Sequence, residues 1–159
     1  MRFEHLVEVN DPLQPLLTEV TREQLWRGLL RRAERPTEFV LGLGGATIER
    51  RSEAAGCIEL ERTLDFGRFR VRDRVRLTAG SLSVTEVEAG DGYPASRLTV
   101  RIEEPQPGRL FLRFLYESGE SAGEVDETAR RLREQAYRSA DIDTVWRIRD
   151  LAERGALGR

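Results

Sequence analysis

The residues best placed to do chemistry in this sequence are Arg62 and Asp73, which interrupt an apolar pattern between residues 57 and 77. A two-residue turn at Gly67-Arg68, with glycine first, matches the type II′ geometry that joins antiparallel strands. The register that this turn implies sets Arg62 directly opposite Asp73, on the same face as the apolar residues. Such a pair can bind a polar group of a ligand or transfer a proton, and it can equally be a structural ion pair.

The same register divides the predicted hairpin into an apolar face and a charged face. The apolar residues face each other as Ile58 with Leu77, Leu60 with Val75, Leu64 with Val71 and Phe66 with Phe69. On the other face the cross-strand partners are Arg70 with Asp65, Arg74 with Glu61 and Arg76 with Glu59. Exposed ion pairs of this kind add only about 0.2–1 kcal/mol each. The pattern therefore indicates a solvent-facing ladder of charges.

A second carboxylate is expected beside Arg62 and Asp73. If the next hairpin turns at Ala79-Gly80, its register sets Glu86 opposite Asp73 on the inner face. Two carboxylates flanking one arginine in an apolar pocket need compensation by pairing, water or a ligand, because bare charges are costly in a low dielectric. One of the carboxylates could then have a raised pKa and transfer a proton.

Three more polar side chains are candidates to face the same interior. His5 is the only histidine, lies among apolar residues of the first predicted strand, and alone titrates near neutrality without help. Tyr116 shares a face with apolar residues of the last strand, and Tyr137 flanks the apolar stripe of the final helix. Each tyrosine can offer a hydroxyl to a cavity. Packing within the core is the alternative for all three.

Composition excludes several classes of chemistry. All 26 basic residues are arginine, so Schiff-base and phosphate-loop lysine chemistry is excluded. The single cysteine, Cys57, rules out an internal disulfide and a multi-cysteine metal site, and one histidine leaves no His-rich cluster. No metal or other cofactor is expected. The net charge of −2 provides no field that would recruit nucleic acid or an anionic membrane, and the acidic partners of the arginine ladder argue the same way.

The amino-terminal residues MRFEHLVEVN are charged and alternating, which is typical of a strand and unlike a signal peptide or membrane anchor. No apolar run approaches the length of a membrane span. The 159 residues therefore predict a single cytoplasmic domain over 1–159.

The pattern along the chain predicts seven strands and two helices. A first strand over 3–9 precedes a helix over 22–34, which opens with a capping box at Thr21 and Gln24. The six strands that follow are predicted at 46–53, 56–66, 69–78, 81–89, 96–104 and 109–117. Short turns between successive strands indicate an antiparallel meander.

A long helix is predicted to close the chain, between a capping box at Ser121 and Glu124 and a stop at Gly155. Its apolar stripe consists of Val125, Ala129, Leu132, Ala136 and Ala140. Beyond residue 140 apolar residues surround the axis. Either the helix bends there, or its end is covered by the rest of the fold or by a second copy of the chain. A homodimer is thus one expectation.

These elements predict an α+β fold of the helix-grip type: a seven-stranded curved antiparallel sheet wrapped around the long C-terminal helix, with a short helical insert after the first strand. A curved sheet around one helix leaves room for a small-molecule pocket. Three segments carry a resemblance to a known family, namely FEHLVEVN, LTEVTREQLWRGLLRRAERPTEFV and AYRSADIDTVWRIRDLAERGAL. The chain resembles the START-like superfamily, also called SRPBCC, Bet v 1-like or polyketide-cyclase-like, and within it the AtaL-like family.

The resemblance implies a cavity for an apolar or aromatic ligand such as a lipid, sterol or polyketide. Some members of the superfamily catalyse cyclisation or hydration in that cavity, and others carry or sense the ligand. Two functions therefore stay open: binding of a small hydrophobic molecule, or cofactor-free catalysis of the cyclase or aromatase type. The residues expected to line the cavity are His5, Arg62, Asp73, Glu86, Tyr116 and Tyr137.

Overall fold

Seven strands form one curved antiparallel sheet in the computed structural model, which describes residues 1–119 and 126–158. The strands are β1 (Arg2–Glu8), β2 (Gly45–Ala54), β3 (Cys57–Asp65), β4 (Arg70–Thr78), β5 (Leu82–Val87), β6 (Ser96–Gln106) and β7 (Arg109–Ser118). Their order across the sheet is β1-β7-β6-β5-β4-β3-β2, so β2 to β7 form a meander and β1 pairs with the last strand. Helix α1 (Arg22–Glu34) follows β1, and helix α2 (Glu127–Glu153) follows β7. The predicted α+β helix-grip architecture is confirmed.

The hairpin of β3 and β4 has the predicted register. Arg62 lies opposite Asp73, and the apolar pairs and the charged pairs face each other as the sequence indicates. Phe66 N–H donates to Phe69 O at 3.0 Å, and the two rings stack with centroids 5.1 Å apart. The turn between them uses Gly67 at a φ of +87°, a conformation that glycine adopts without strain.

The register predicted for the next hairpin is wrong by one residue. Its turn contains Ser81 as well as Ala79 and Gly80, so β5 begins at Leu82 and Asp73 lies opposite Val87. Glu86 lies opposite Arg74 instead, on the outer face. A shift of one residue moves every side chain of a strand to the other face of the sheet.

Helix α1 begins with the predicted capping box. Gln24 N–H donates to the Thr21 hydroxyl at 3.1 Å, and Thr21 N–H donates back to Gln24 Oε1 at 3.0 Å. The buried face of α1 packs against α2, where Gly28 permits a close approach. A Cβ atom at Gly28 would lie 2.6 Å from Ile148 Cγ2, which is far inside contact distance.

Helix α2 runs without interruption to Glu153, and Gly155 follows it at a φ of +72°. One face of its C-terminal half is buried, through residues that include Val145, Ile148 and Leu151, whereas Ile142 and Trp146 are 44% and 53% exposed. The predicted capping residues Ser121 and Glu124 lie outside the described residues, as does Val125. Within the described part of the helix, Asp126 is the N-cap and accepts a hydrogen bond from Thr128 N–H at 3.3 Å.

The apolar stripe predicted for the first half of α2 does not face the sheet. Leu132 is 63% exposed, and Ala129, Ala136 and Ala140 are exposed with it. The face that points inward carries polar residues instead, Tyr137 and Asp141, which continue the buried row toward Ile148 at helical spacing. The prediction failed because it assigned the inward face from apolar residues alone.

The hydrophobic core lies between the sheet, α1 and the second half of α2. Helix α2 packs mainly against α1 and β1, so the inner face of β3 to β6 is only partly covered. The space over those strands is where a cavity opens. Within the described residues, no helix combines the length and apolar character that crossing a bilayer requires.

Candidate functional site: a cavity between the sheet and the helices

A cavity of about 450 Å³ lies between the inner face of the sheet and the two helices. Strands β3 to β7 supply its floor, and α1 and α2 supply its walls. Its apolar lining includes Ala33, Val40, Leu64, Val75, Val87 and Leu98. The polar groups that meet there include Arg32, Arg62, Asp73, Ser83, Tyr116 and Tyr137.

The pair predicted from the hairpin register lines the cavity as a closed ion pair. Arg62 Nε donates to Asp73 Oδ1 at 2.8 Å, and Nη2 donates to Oδ2 at 2.5 Å. The third group, Nη1, donates to the Ala33 carbonyl at 2.7 Å and ties the sheet to α1. The two side chains are 7% and 1% exposed. Because both oxygens of Asp73 and all three nitrogens of Arg62 are engaged, the pair positions α1 over the sheet.

A second set of polar residues, the network of Tyr116, Asp141 and His5, extends from the cavity into the interior. Tyr116 lines the cavity, and its hydroxyl donates to the Asp141 carboxylate, 2.7 Å from Oδ1 and 2.8 Å from Oδ2. His5 Nε2 lies 2.6 Å from Asp141 Oδ2, and both side chains are buried. Burial raises the pKa of Asp141 above its usual value, against the opposing effect of these hydrogen bonds. Burial, followed by the charge of Asp141, raises the pKa of Tyr116, so this phenol stays protonated at neutral pH.

Aromatic rings hold this network in place. Tyr116 and Tyr137 stack with centroids 4.0 Å apart and planes 11° apart. The imidazole of His5 lies between Phe3 and Phe114, with centroid distances of 5.4 Å to each ring. His5 is therefore a core residue that lies outside the cavity lining, and it reaches the cavity only through Asp141 and Tyr116.

The structure divides the six predicted site residues into three groups. Arg62, Asp73, Tyr116 and Tyr137 line the cavity, and His5 lies behind it. Glu86 is on the opposite face of the sheet, where its Oε1 lies 3.5 Å from Arg97 Nη2. The expectation that Glu86 faces Asp73 was wrong, because the turn before β5 is one residue longer than predicted.

Two functional candidates were missed by the sequence analysis, Arg32 and Asp141. Arg32 lies on α1 two turns after the buried Leu25, and Asp141 lies two turns before the buried Ile148. This spacing of seven residues places each one on the buried stripe of its helix, and it is the pattern that could have revealed them. No group of three or more His, Cys, Asp or Glu side chains that could hold a metal occurs in the described residues.

Comparison with known proteins identifies the family. The family model described as "AtaL: Acetylaranotin biosynthesis cluster protein L" matches residues 7–155. The chain belongs to the AtaL family. A search of curated proteins found no match to this member of the family.

Solved structures show that this AtaL family member has a fold shared with START-like proteins. The di-domain aromatase/cyclase StfQ of the steffimycin biosynthetic pathway has a TM-score of 0.67 and 10% identity; the match covers 98% of this chain and 52% of StfQ, about half its length. A START superfamily protein from Mycobacterium smegmatis has a TM-score of 0.62 at 12% identity over 94% of this chain and 98% of its own. The Zhui aromatase/cyclase from Streptomyces has a TM-score of 0.59 at 13% identity, covering 98% and 95% of the two chains. At these identities the similarity concerns the fold.

Proposed function

We propose that this protein binds a small hydrophobic or aromatic molecule in the cavity between the sheet and the helices. The observation that carries the proposal is the cavity itself, about 450 Å³ with apolar walls and a few convergent polar groups. Ligand pockets commonly have volumes of about 300–1,000 Å³ and this kind of lining. The similarity to proteins described as aromatase/cyclases and as a START superfamily member supports the proposal of a ligand-binding cavity.

Blocking the cavity should abolish binding of a neutral fluorescent probe, N-phenyl-1-naphthylamine. Val87 points into the cavity from β5, whereas Val84 lies on the outer face of the same strand, and both are half-buried. We expect Val87→Trp to weaken binding by about tenfold or more. The indole fills part of the cavity, and the packed residues around it cannot move away to restore that volume. Fluorescence titration measures the affinity.

Val84→Trp is the matched control, since it adds the same indole on the side of the sheet away from the cavity. Its affinity should stay within about twofold of the parent protein. Equal affinities of the two variants, or a parent protein that does not bind the probe, would contradict the proposal. Native mass spectrometry of the purified protein then identifies any molecule that accompanies it.

A second candidate function is cofactor-free catalysis of the cyclase or aromatase type, and the contact of Tyr116 with Asp141 favours it. Because burial raises the pKa of Asp141, this carboxyl group can hold a proton and donate it to the phenol oxygen. The Tyr116 O–H is then free to donate to a ligand carbonyl and to stabilise the enolate that forms when an adjacent carbon loses a proton to solvent. Asp141 holds that phenol in position, and His5 Nε2 contacts the same carboxyl group. The Arg62–Asp73 pair is a weaker candidate for this role, because its hydrogen-bonding groups are already engaged.

The two candidate functions predict different effects of the substitution Tyr116→Phe. The substitution removes the hydroxyl and retains the stack on Tyr137, so probe affinity should stay within about threefold. If the protein is an enzyme, cyclisation of a linear polyketone, followed by mass spectrometry and absorbance, should fall by about 10²-fold or more in the variant. Turnover by the parent protein that Tyr116→Phe leaves unchanged would exclude this role for Tyr116. Tight binding of the polyketone without turnover would assign the protein to binding alone.

A further inference from the structure

Arg32 is a cation on the cavity wall without a partner among the described residues. Its side chain lines the cavity from α1, and it forms no hydrogen bond or ion pair with any residue in 1–119 or 126–158. The Nε atom is fully shielded from solvent. Burial lowers the pKa of Arg32, yet a guanidinium does not lose its proton in proteins. A ligand that fills the cavity must therefore bring a strong acceptor to Arg32, or it leaves a charge desolvated.

The other charges around the cavity do not neutralise Arg32 by direct contact. Both oxygens of Asp73 accept hydrogen bonds from Arg62, and both oxygens of Asp141 accept from Tyr116 or contact His5. The charges of Asp141 and Asp73 do act on Arg32 through space, since both raise its pKa against the effect of burial. The guanidinium of Arg32 thus lies near two carboxyl groups, Asp73 and Asp141, whose oxygens are already engaged by other side chains.

We propose that the ligand is an aromatic or conjugated carboxylic acid whose carboxylate binds Arg32, an inference that rests on the proposed function of the cavity. A planar guanidinium matches a carboxylate with two parallel hydrogen bonds. A single negative charge matches the single charge of Arg32, because the charge of the neighbouring Arg62 is already compensated by Asp73. The flat stack of Tyr116 and Tyr137 borders the same cavity and suits the ring system of such a ligand.

Two probes of the same shape test this inference, anthracene-2-carboxylate and its neutral isostere anthracene-2-carboxamide. Fluorescence titrations at pH 7.5 and fixed ionic strength give both dissociation constants. The parent protein should bind the carboxylate about tenfold or more tightly than the carboxamide. In Arg32→Gln this preference should disappear through loss of carboxylate affinity, while carboxamide affinity stays within about twofold.

Arg35→Gln is the matched control, because Arg35 follows α1 directly and its side chain is 65% exposed. This variant removes the same charge from the protein and should keep the preference for the carboxylate. Thermal unfolding tests whether Arg32 has a structural role instead, because loss of a stabilising residue would lower the unfolding temperature. Without ligand, Arg32→Gln should unfold at the parent temperature or above it, since the substitution removes a half-buried charge that has no ion-pair partner among the described residues.

The outcomes separate this inference from the proposed function. Equal affinity of the parent protein for the two probes would overturn the carboxylate inference and leave ligand binding intact, and this measurement needs no variant. A carboxylate preference that survives in Arg32→Gln, or that is lost equally in Arg35→Gln, would overturn the assignment to Arg32. Failure of the parent protein to bind either anthracene probe or N-phenyl-1-naphthylamine would overturn the proposed function itself.

Discussion

Arg62→Ala is expected to lower the free energy of unfolding by about 3–5 kcal/mol, because it leaves the Asp73 carboxylate buried without its partner. That carboxylate is 1% exposed and receives two hydrogen bonds from Arg62. The substitution also removes the donor to the Ala33 carbonyl, which connects the sheet to α1. Urea unfolding followed by circular dichroism measures the change.

Two control variants test whether burial is the cause. Arg62→Met combined with Asp73→Leu removes both charges at similar volume and should recover most of the stability that Arg62→Ala loses. Arg74→Ala removes an arginine of the outer ladder, whose side chain is 47% exposed, and should change the free energy of unfolding by less than about 1 kcal/mol. A loss of less than about 1 kcal/mol in Arg62→Ala itself would show that water, rather than the interior, surrounds the pair.

The parts of the fold that the sequence predicted well are those in which one local feature constrains many residues. The Gly67 turn determined the register of β3 and β4, and the apolar pairs confirmed that register independently, so Arg62 could be placed opposite Asp73. The capping box of Thr21 and Gln24 located the start of α1 in the same way. Local turn and cap chemistry is short-range, and it can therefore be inferred without knowing the tertiary contacts.

The two errors in the fold have a common physical cause. The register that put Glu86 inward also put Leu82 and Val84 of β5 inward by strand alternation, whereas the structure puts Ser83 and Thr85 there. In α2 the prediction put Leu132 inward, and the structure leaves it exposed. An apolar pattern identifies the inner face of a strand or helix only where that face packs against a solid core. Beside a cavity, polar side chains are tolerated on the inner face, so hydrophobicity loses its predictive value at the candidate site.

The candidate site was accordingly predictable only in part. Arg62, Asp73 and Tyr116 could be assigned to the cavity because strand alternation placed them. Tyr137 also lines the cavity, although the apolar stripe that it was predicted to flank faces outward. The partner of His5 could not be found, because 136 positions separate it from Asp141 and no local rule joins them. Arg32 was missed for a related reason: an arginine on a helix is ordinarily solvated, and only the tertiary structure shows that this one lines a cavity with its Nε atom shielded from solvent.

Asp141→Ala is expected to lower the free energy of unfolding by about 2–4 kcal/mol, because it leaves the buried His5 and the half-buried Tyr116 hydroxyl without their partner. The Tyr116 hydroxyl and His5 Nε2 both lie within hydrogen-bonding distance of this carboxylate, and the Asp141 side chain is 2% exposed. Asp143→Ala is the matched control. Asp143 is exposed on the same helix, so the free energy of unfolding should change by less than about 0.5 kcal/mol.

The loss caused by Asp141→Ala should also shrink as the pH rises from about 4, the usual pKa of an aspartate. Burial raises the pKa of Asp141 in the folded protein, so the folded state holds this proton more tightly than the unfolded state does. Stability from Asp141 is therefore complete at low pH and decreases as the pH rises through the folded pKa. Alanine does not titrate, so the pH dependence of the difference reports on Asp141. The other titratable groups around the site, His5, Tyr116 and Arg32, are present in both proteins. Urea unfolding of both proteins between pH 4 and 8 measures the difference. A difference that instead widens with pH would show that hydrogen bonds from His5 and Tyr116 outweigh burial and lower the pKa of Asp141.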